Sequence, residues 1–243
     1  MKCRATTRTQ IMNPNQNLPM ADFLFETPDR NTSFEDNLMS SISCLCGECK
    51  LTLSENRPTL SLYCACKDCT QALRWCESRG GRAPQKLPQA VYIRSDIISV
   101  EGEKFMKAFQ LRDPAKSTRV YCTKCFSIIG INHPAYSNNV FMFFPNNCHA
   151  NLDLSVKPCA AIFLSSYEEG IAEVPDHIPV FHNFDYPQEL ERFRSINGVK
   201  NTFREPTCSP NGITFENLIE NLGEIENVNL KIGAIPTGYE PQF

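Results

Sequence analysis

From Lys50 onward the chain alternates apolar and polar residues in short runs. Lys50-Leu51-Thr52-Leu53-Ser54 puts every second side chain on one face, Glu55-Asn56-Arg57-Pro58 supplies turn residues, and Leu60-Ser61-Leu62-Tyr63 resumes the alternation. A period of two is that of a half-buried strand, so these runs predict a β-hairpin carrying cysteines at its ends. Further strands are predicted over 91–93, 97–100, 105–109, 119–121, 127–131, 140–144 and 160–164, several rich in β-branched or aromatic residues and separated by turn signals such as Glu101-Gly102-Glu103. A short helix is predicted over 70–78, broken by Gly80-Gly81. Past residue 184 the period lengthens. Asp185 is an N-cap candidate ahead of Pro187, with apolar Tyr186, Leu190 and Phe193 and a stop near Gly198. A second helix starts at Thr214, with Phe215, Leu218, Ile219 and Leu222 on one face. Before about residue 40 no period is sustained, and the Asn, Thr, Ser and Pro content predicts a flexible arm. The expected organisation is an arm over 1–40, a mainly β domain over 41–184 and a C-terminal helical extension over 185–243.

Composition narrows what such a body does. The chain has 243 residues, 42% hydrophobic, enough to bury a core without covalent staples, so its thirteen cysteines are not needed as disulfides. Net charge is −3 with the two signs interspersed. Nucleic acid is therefore not an expected ligand, because phosphate contacts from a Lys and Arg surplus supply most of that affinity. No run reaches the roughly 20 apolar residues of a membrane span, and the first residues lack the apolar centre of a secretory signal. The expected location is the cytoplasm, with nucleus or organelle as alternatives; the first twenty residues, poor in acids, are compatible with a transit peptide. In a reducing compartment closely spaced cysteines hold metal more often than they bridge.

The cysteines fall into clusters at ligand spacing: Cys44, Cys46 and Cys49; Cys64, Cys66 and Cys69; and Cys122 with Cys125. Structural zinc takes four ligands at tetrahedral corners, and a C-x-x-C pair supplies half of such a site. Cys122 and Cys125 need two distant thiols, and Cys44 and Cys46 are the economical donors. Cys64, Cys66 and Cys69 are then left as a local trio, able to hold a second zinc with one exchangeable position, as catalytic zinc does. Cys49 and Cys76 are the candidates to supply a fourth thiolate and close that site. The competing readings are buried free thiols, disulfides or a redox pair. Cys3, Cys148, Cys159 and Cys208 are isolated and read as small buried or surface thiols. His133, His149, His177 and His182 show no ligand spacing.

The order C-x-C-G-x-C, then C-x-C-x-x-C, then C-x-x-C after a strand resembles the glutathione-dependent formaldehyde-activating enzyme family, which also contains centromere protein V. The resemblance runs from about residue 43 to about 184, where Asp176-His177-Ile178-Pro179-Val180-Phe181 is similar to that family's closing Asp-x-Leu-Pro-x-Phe segment. It implies a β-tent of antiparallel sheets, a closed zinc at Cys44, Cys46, Cys122 and Cys125, and an open zinc at Cys64, Cys66 and Cys69. The implied activity is that of a carbon-sulfur lyase, reversibly joining formaldehyde to the thiol of glutathione. Two positions and one stretch depart from the family pattern. Ala65 stands where His is usual, Phe126 where Gly is usual, and residues 70–76 replace a small Ser-Gly-containing stretch expected on the pocket floor.

On this reading the trio is catalytic, because a free thiol is only about one part in thirty thiolate at neutral pH whereas coordination deprotonates it. Arg74, Arg79, Arg82 and Lys86, just after the trio, are candidates to grip the carboxylates of glutathione. The alternative is a non-catalytic zinc-stabilised interaction or thiol-carrier module.

Overall fold

The structure, a computed structural model, describes residues 39–114, 116–166, 174–204 and 210–232. The predicted arm, Cys3 and Cys208 lie outside them. In chain order the strands are β1 (Ser41–Ser43), β2 (Lys50–Leu53), β3 (Leu60–Cys64), β4 (Gln89–Arg94), β5 (Ile97–Glu101), β6 (Met106–Gln110) and β7 (Thr118–Cys122). They continue as β8 (Ile128–Asn132), β9 (Val140–Phe143), β10 (His149–Asn151), β11 (Ala161–Ile162), β12 (Val180–Phe181) and β13 (Ile225–Asn227). The α-helices are α1 (Lys67–Glu77), α2 (Pro187–Ser195), α3 (Asn197–Arg204) and α4 (Phe215–Leu222). None of the helices among the described residues is long and apolar enough to cross a membrane.

The strands form two sheets, a four-stranded one in the order β10-β1-β2-β5 and a nine-stranded one in the order β12-β11-β3-β4-β9-β8-β7-β6-β13. The expected mainly β body is present. The expectation of purely antiparallel pairing needs correction, because β11 runs parallel to both β3 and β12, and β13 runs parallel to β6. These parallel strands reach the sheet edges by long connections, and a hairpin pattern does not signal them.

Alternation along the large sheet divides the apolar residues between its faces. On β9 and just beyond, Phe141 and Phe143 join one buried cluster, with Ile42, Leu51, Val91, Ile93, Val120 and Cys122, while Val140, Met142 and Phe144 join the other, with Leu62, Tyr92, Tyr121 and Trp75. The first cluster is the packing between the two sheets, closed off by α4. Gly130 makes room there: a Cβ on it would lie 2.3 Å from the Phe215 ring, which instead stacks on Phe141 at 4.6 Å. Asp96 and Ser95 pin this end, accepting from the Gly212 and Phe215 N–H groups, each at 2.7 Å. A Thr214–Asn217 capping box starts α4.

Over the second face lie α1, α2 and α3. The predicted helix at 70–78 starts three residues earlier, because the Cys66 sulfur acts as N-cap, accepting from the Cys69 N–H at 3.3 Å. Gly198, read as a helix stop, sits in the first turn of α3. A Cβ there would lie 3.3 Å from a methyl of Leu60, so the small residue serves close packing of α3 on β3. Strands β1, β10 and β13, of three residues each, are too short to show a period.

Candidate metal centres and cavity

The knuckle between β1 and β2 presents Cys44 and Cys46 to Cys122, the last residue of β7, and to Cys125 in the following turn. Gly47, at φ +79°, adopts a left-handed conformation open to glycine and donates to the Cys44 carbonyl at 3.0 Å. Cys46 lies 3.4 Å from Cys44 and 3.7 Å from Cys122, sulfur to sulfur, and all four sulfurs fall within 4.8 Å of one another. A disulfide would place two of them about 2.05 Å apart, whereas a metal–sulfur bond of about 2.3 Å gives a tetrahedron edge of about 3.8 Å. The group can hold a metal ion, and every described cysteine is a free thiol. Burial pushes the Cys44 and Cys122 thiols up. Burial also acts upward on Cys125, but hydrogen bonds from Ser127 and Cys46 outweigh it and leave that thiol at about 7.

Phe126 explains one departure from the resembled pattern. Its φ is +52°, a conformation that costs a non-glycine residue about 1–2 kcal/mol, and its ring contacts Tyr121 at 5.9 Å and Trp75 at 6.3 Å.

The second group joins Cys64, at the end of β3, to Cys66 and Cys69 at the start of α1. Cys64 and Cys69 lie 3.7 Å apart, and the three sulfurs fall within 4.8 Å of one another. This trio can likewise hold a metal ion. Neither candidate fourth thiolate joins it. Cys49 belongs to the first centre, donating its N–H to the Cys44 sulfur at 3.3 Å and its thiol to the Gly102 carbonyl at 3.7 Å. Cys76 lies two helical turns beyond Cys69, a rise of about 10 Å, and is fully buried. Of the three thiols Cys66 gives up its proton first, because the Cys64 and Cys69 thiols hydrogen-bond to it, the Cys69 amide donates to it and Arg119 adds positive potential.

The trio lies on the wall of a cavity of about 750 Å³, walled by Tyr92, Ile131 and Met142 of the large sheet on one side and by Leu190, Phe193, Val199 and Phe203 of α2 and α3 on the other. Arg119 of β7 also lines it and is 1% exposed. Its Nη1 and Nη2 donate to the Ser117 and Asp68 carbonyls at 3.1 and 3.3 Å, while its Nε has no partner. No carboxylate pairs with this guanidinium among the described residues. A buried cation without a counter-ion is costly, and the Cys66 thiol, which Arg119 helps to deprotonate, is the nearby group able to offset it.

His133 lines the same cavity. Its Nδ1 accepts from the Ala135 N–H at 3.0 Å, so the neutral ring carries its proton on Nε2. Burial, with Lys116 and Arg119, lowers its pKa.

The cations expected from the sequence fall elsewhere. Arg74 bonds Glu77 at 2.8 Å, Arg79 lies over Trp75 at 4.1 Å, and Arg82 donates to the Asn146 carbonyl at 2.9 Å. Neither these nor Lys86 line the cavity, whose cations are Lys67, Arg119 and Arg194. Residues 70–76 form no floor. They continue α1 into the core, where Trp75 stacks on Phe109 at 4.4 Å. Arg119 carried one signal in the sequence, a charged residue inside a predicted strand three positions before Cys122.

Comparison with family models finds none that matches this chain, and comparison with characterised proteins finds no match either.

Proposed function

We propose that the chain is a two-zinc protein whose trio site performs carbon-sulfur lyase chemistry, reversibly joining a small thiol such as glutathione to formaldehyde or a similar aldehyde. The observation that carries this reading is a three-sulfur group at tetrahedral spacing on the wall of a large cavity, beside a buried guanidinium with a spare donor. Cys44, Cys46, Cys122 and Cys125 would hold a closed structural zinc; Cys64, Cys66 and Cys69 would hold the other. All-sulfur donors at these separations suit zinc. The ordered cysteine motifs that resemble glutathione-dependent formaldehyde-activating enzymes support the same assignment.

When bound at the trio, zinc supplies a position at which a substrate thiol is held as thiolate. The chain's residues do the rest. The substrate sulfur donates a pair to the aldehyde carbon, the carbon-sulfur bond forms, and the carbonyl π pair moves to oxygen. The Arg119 guanidinium supplies positive potential for that oxygen, and His133 Nε2–H is a hydrogen-bond donor on the same wall. The thiol's proton ends on the hydroxyl, so the step balances as addition of RSH across C=O. The apolar wall from α2 and α3 limits water around the developing charge.

The test is the exchange of formaldehyde into and out of the S-hydroxymethyl adduct of glutathione or 2-mercaptoethanol, followed by NMR, in wild type and Cys66→Ser. Acceleration by the wild type that disappears in the variant is expected. Equal rates for wild type, variant and buffer overturn the enzymatic reading, and thiol binding without turnover favours the carrier.

A further inference from the structure

The trio occupies little of its cavity, and the remainder is built of rings. Tyr92, Tyr136 and Phe203 form one group, with centroids 5.3 to 5.6 Å apart. Phe184 sits 4.7 Å from Phe163 and 4.8 Å from Phe193 in a second. All six line the cavity. Phe163 holds its place at φ +61°, a conformation in which a bulky side chain is strained by about 1–2 kcal/mol.

Formaldehyde alone would leave room there for roughly twenty-five waters, at about 30 Å³ each, against walls that offer water few partners. A tripeptide thiol is matched poorly for the opposite reason. Glutathione brings two carboxylates, an ammonium and two amides, whereas the polar groups of this wall are largely engaged within the protein. Asp68 is bound by Arg112 at 2.8 Å, the Ser117 carbonyl by Arg119, and His133 Nδ1 by the Ala135 amide. Arg194 stands exposed at the rim. Among the residues that line the cavity, Arg119 carries a fully buried donor without a partner, its Nε.

We propose that the cavity selects a small thiol with a ring-sized apolar body, its sulfur at Cys64, Cys66 and Cys69 and its body between the two ring groups, and that the aldehyde adduct places its single oxyanion at Arg119. The proposal rests on the reading of the trio as a thiol-binding metal site and narrows the substrate class from thiols in general to apolar ones. The walls from α2 and α3 set this preference, because Phe193 and Phe203 come from helices that fold over the large sheet.

The test titrates the full-length, cobalt-loaded protein with benzyl mercaptan, 2-mercaptoethanol and glutathione, following the sulfur-to-cobalt absorption. It reads binding directly and needs no aldehyde. Benzyl mercaptan is expected to bind at least about tenfold tighter than either polar thiol. In Phe203→Ala the preference over 2-mercaptoethanol, read as the ratio of the two affinities, is expected to fall to about threefold or less. Phe203→Leu, which keeps most of the buried volume, serves if the alanine variant does not fold. Equal affinities in the wild type overturn the apolar-substrate proposal and leave the thiol site standing. Absence of any absorption change with all three thiols overturns the thiol-site reading as well.

Discussion

The two faces of the nine-stranded sheet use the same strands to opposite ends. Toward the four-stranded sheet the side chains pack solid, with Phe141, Phe143 and Phe215 interlocked and Gly130 yielding space to a ring. Toward α2 and α3 they line a cavity of about 750 Å³. Each face has its own sulfur group, four on the packed side and three on the hollow side. The difference teaches that ligand number and surroundings go together. Four sulfurs saturate a tetrahedral ion and suit a role in holding loops, whereas three leave a corner, and here three are found where there is room to use it.

The largest effect expected is on folding. Structural zinc at thiolates is worth about 10–16 kcal/mol in small domains, comparable to the entire 5–15 kcal/mol of net stability of a typical domain. Cys122→Ser is therefore expected to abolish the cooperative thermal transition, and Cys66→Ser to keep it while losing one metal equivalent. Calorimetry with metal analysis decides this, and loss of the fold in both variants would erase the distinction between the faces.

Neighbouring residues of β9 give the next contrast. Phe141→Ala, on the packed face, is expected to cost about 3–5 kcal/mol, and Met142→Ala, on the cavity wall, about 2 kcal/mol or less, because it adds to a hollow already present. Urea denaturation of the two variants measures both.

Arg119→Met sharpens the electrostatic side. With a divalent ion bound, three thiolates would sum to one negative charge, which the buried guanidinium would offset. An unlike charge nearby in a partly buried setting is worth on the order of 1–3 kcal/mol, so metal affinity at the trio is expected to fall about five- to 150-fold. Chelator competition should show this while the four-sulfur centre retains its ion; equal loss from both centres contradicts the assignment.

The smallest effect concerns the clamp on α4. Burial pushes the Asp96 carboxyl up, but hydrogen bonds from Ser54 and the Gly212 and Asn211 amides, with Arg94 nearby, outweigh it and hold the pKa below the usual range. Its contribution is therefore complete above about pH 4 and lost as pH falls through the lowered value. Hydrogen exchange should show residues 211–222 loosening on acidification before the cavity side does, and Asp96→Asn should show that loosening already at neutral pH.

Much of the β body could be read from the chain. Alternation in 50–54 and 60–63 and the aromatic-rich run 140–144 mark strands, and cysteine spacing separates four sulfurs from three. The cavity could not be read in this way. It depends on α2 and α3 returning over the sheet, and Gly198, which marks a stop in a local reading, is the residue that lets α3 settle on Leu60. Arg119 was hidden because its meaning comes from what it faces, and a strand pattern does not show that a buried position opens on a hollow. Cys76 sits in the same helix as Cys69, yet two turns of rise carry it away from the trio.

The most direct measurement is X-ray absorption at the zinc edge of the protein loaded with two equivalents of zinc, before and after addition of benzyl mercaptan. An average of three and a half sulfurs per ion, the mean of four and three, rising to four with the thiol, is the expected result. Four sulfurs per ion from the start, or a number that the thiol leaves unchanged, would contradict an exchangeable position on the hollow face.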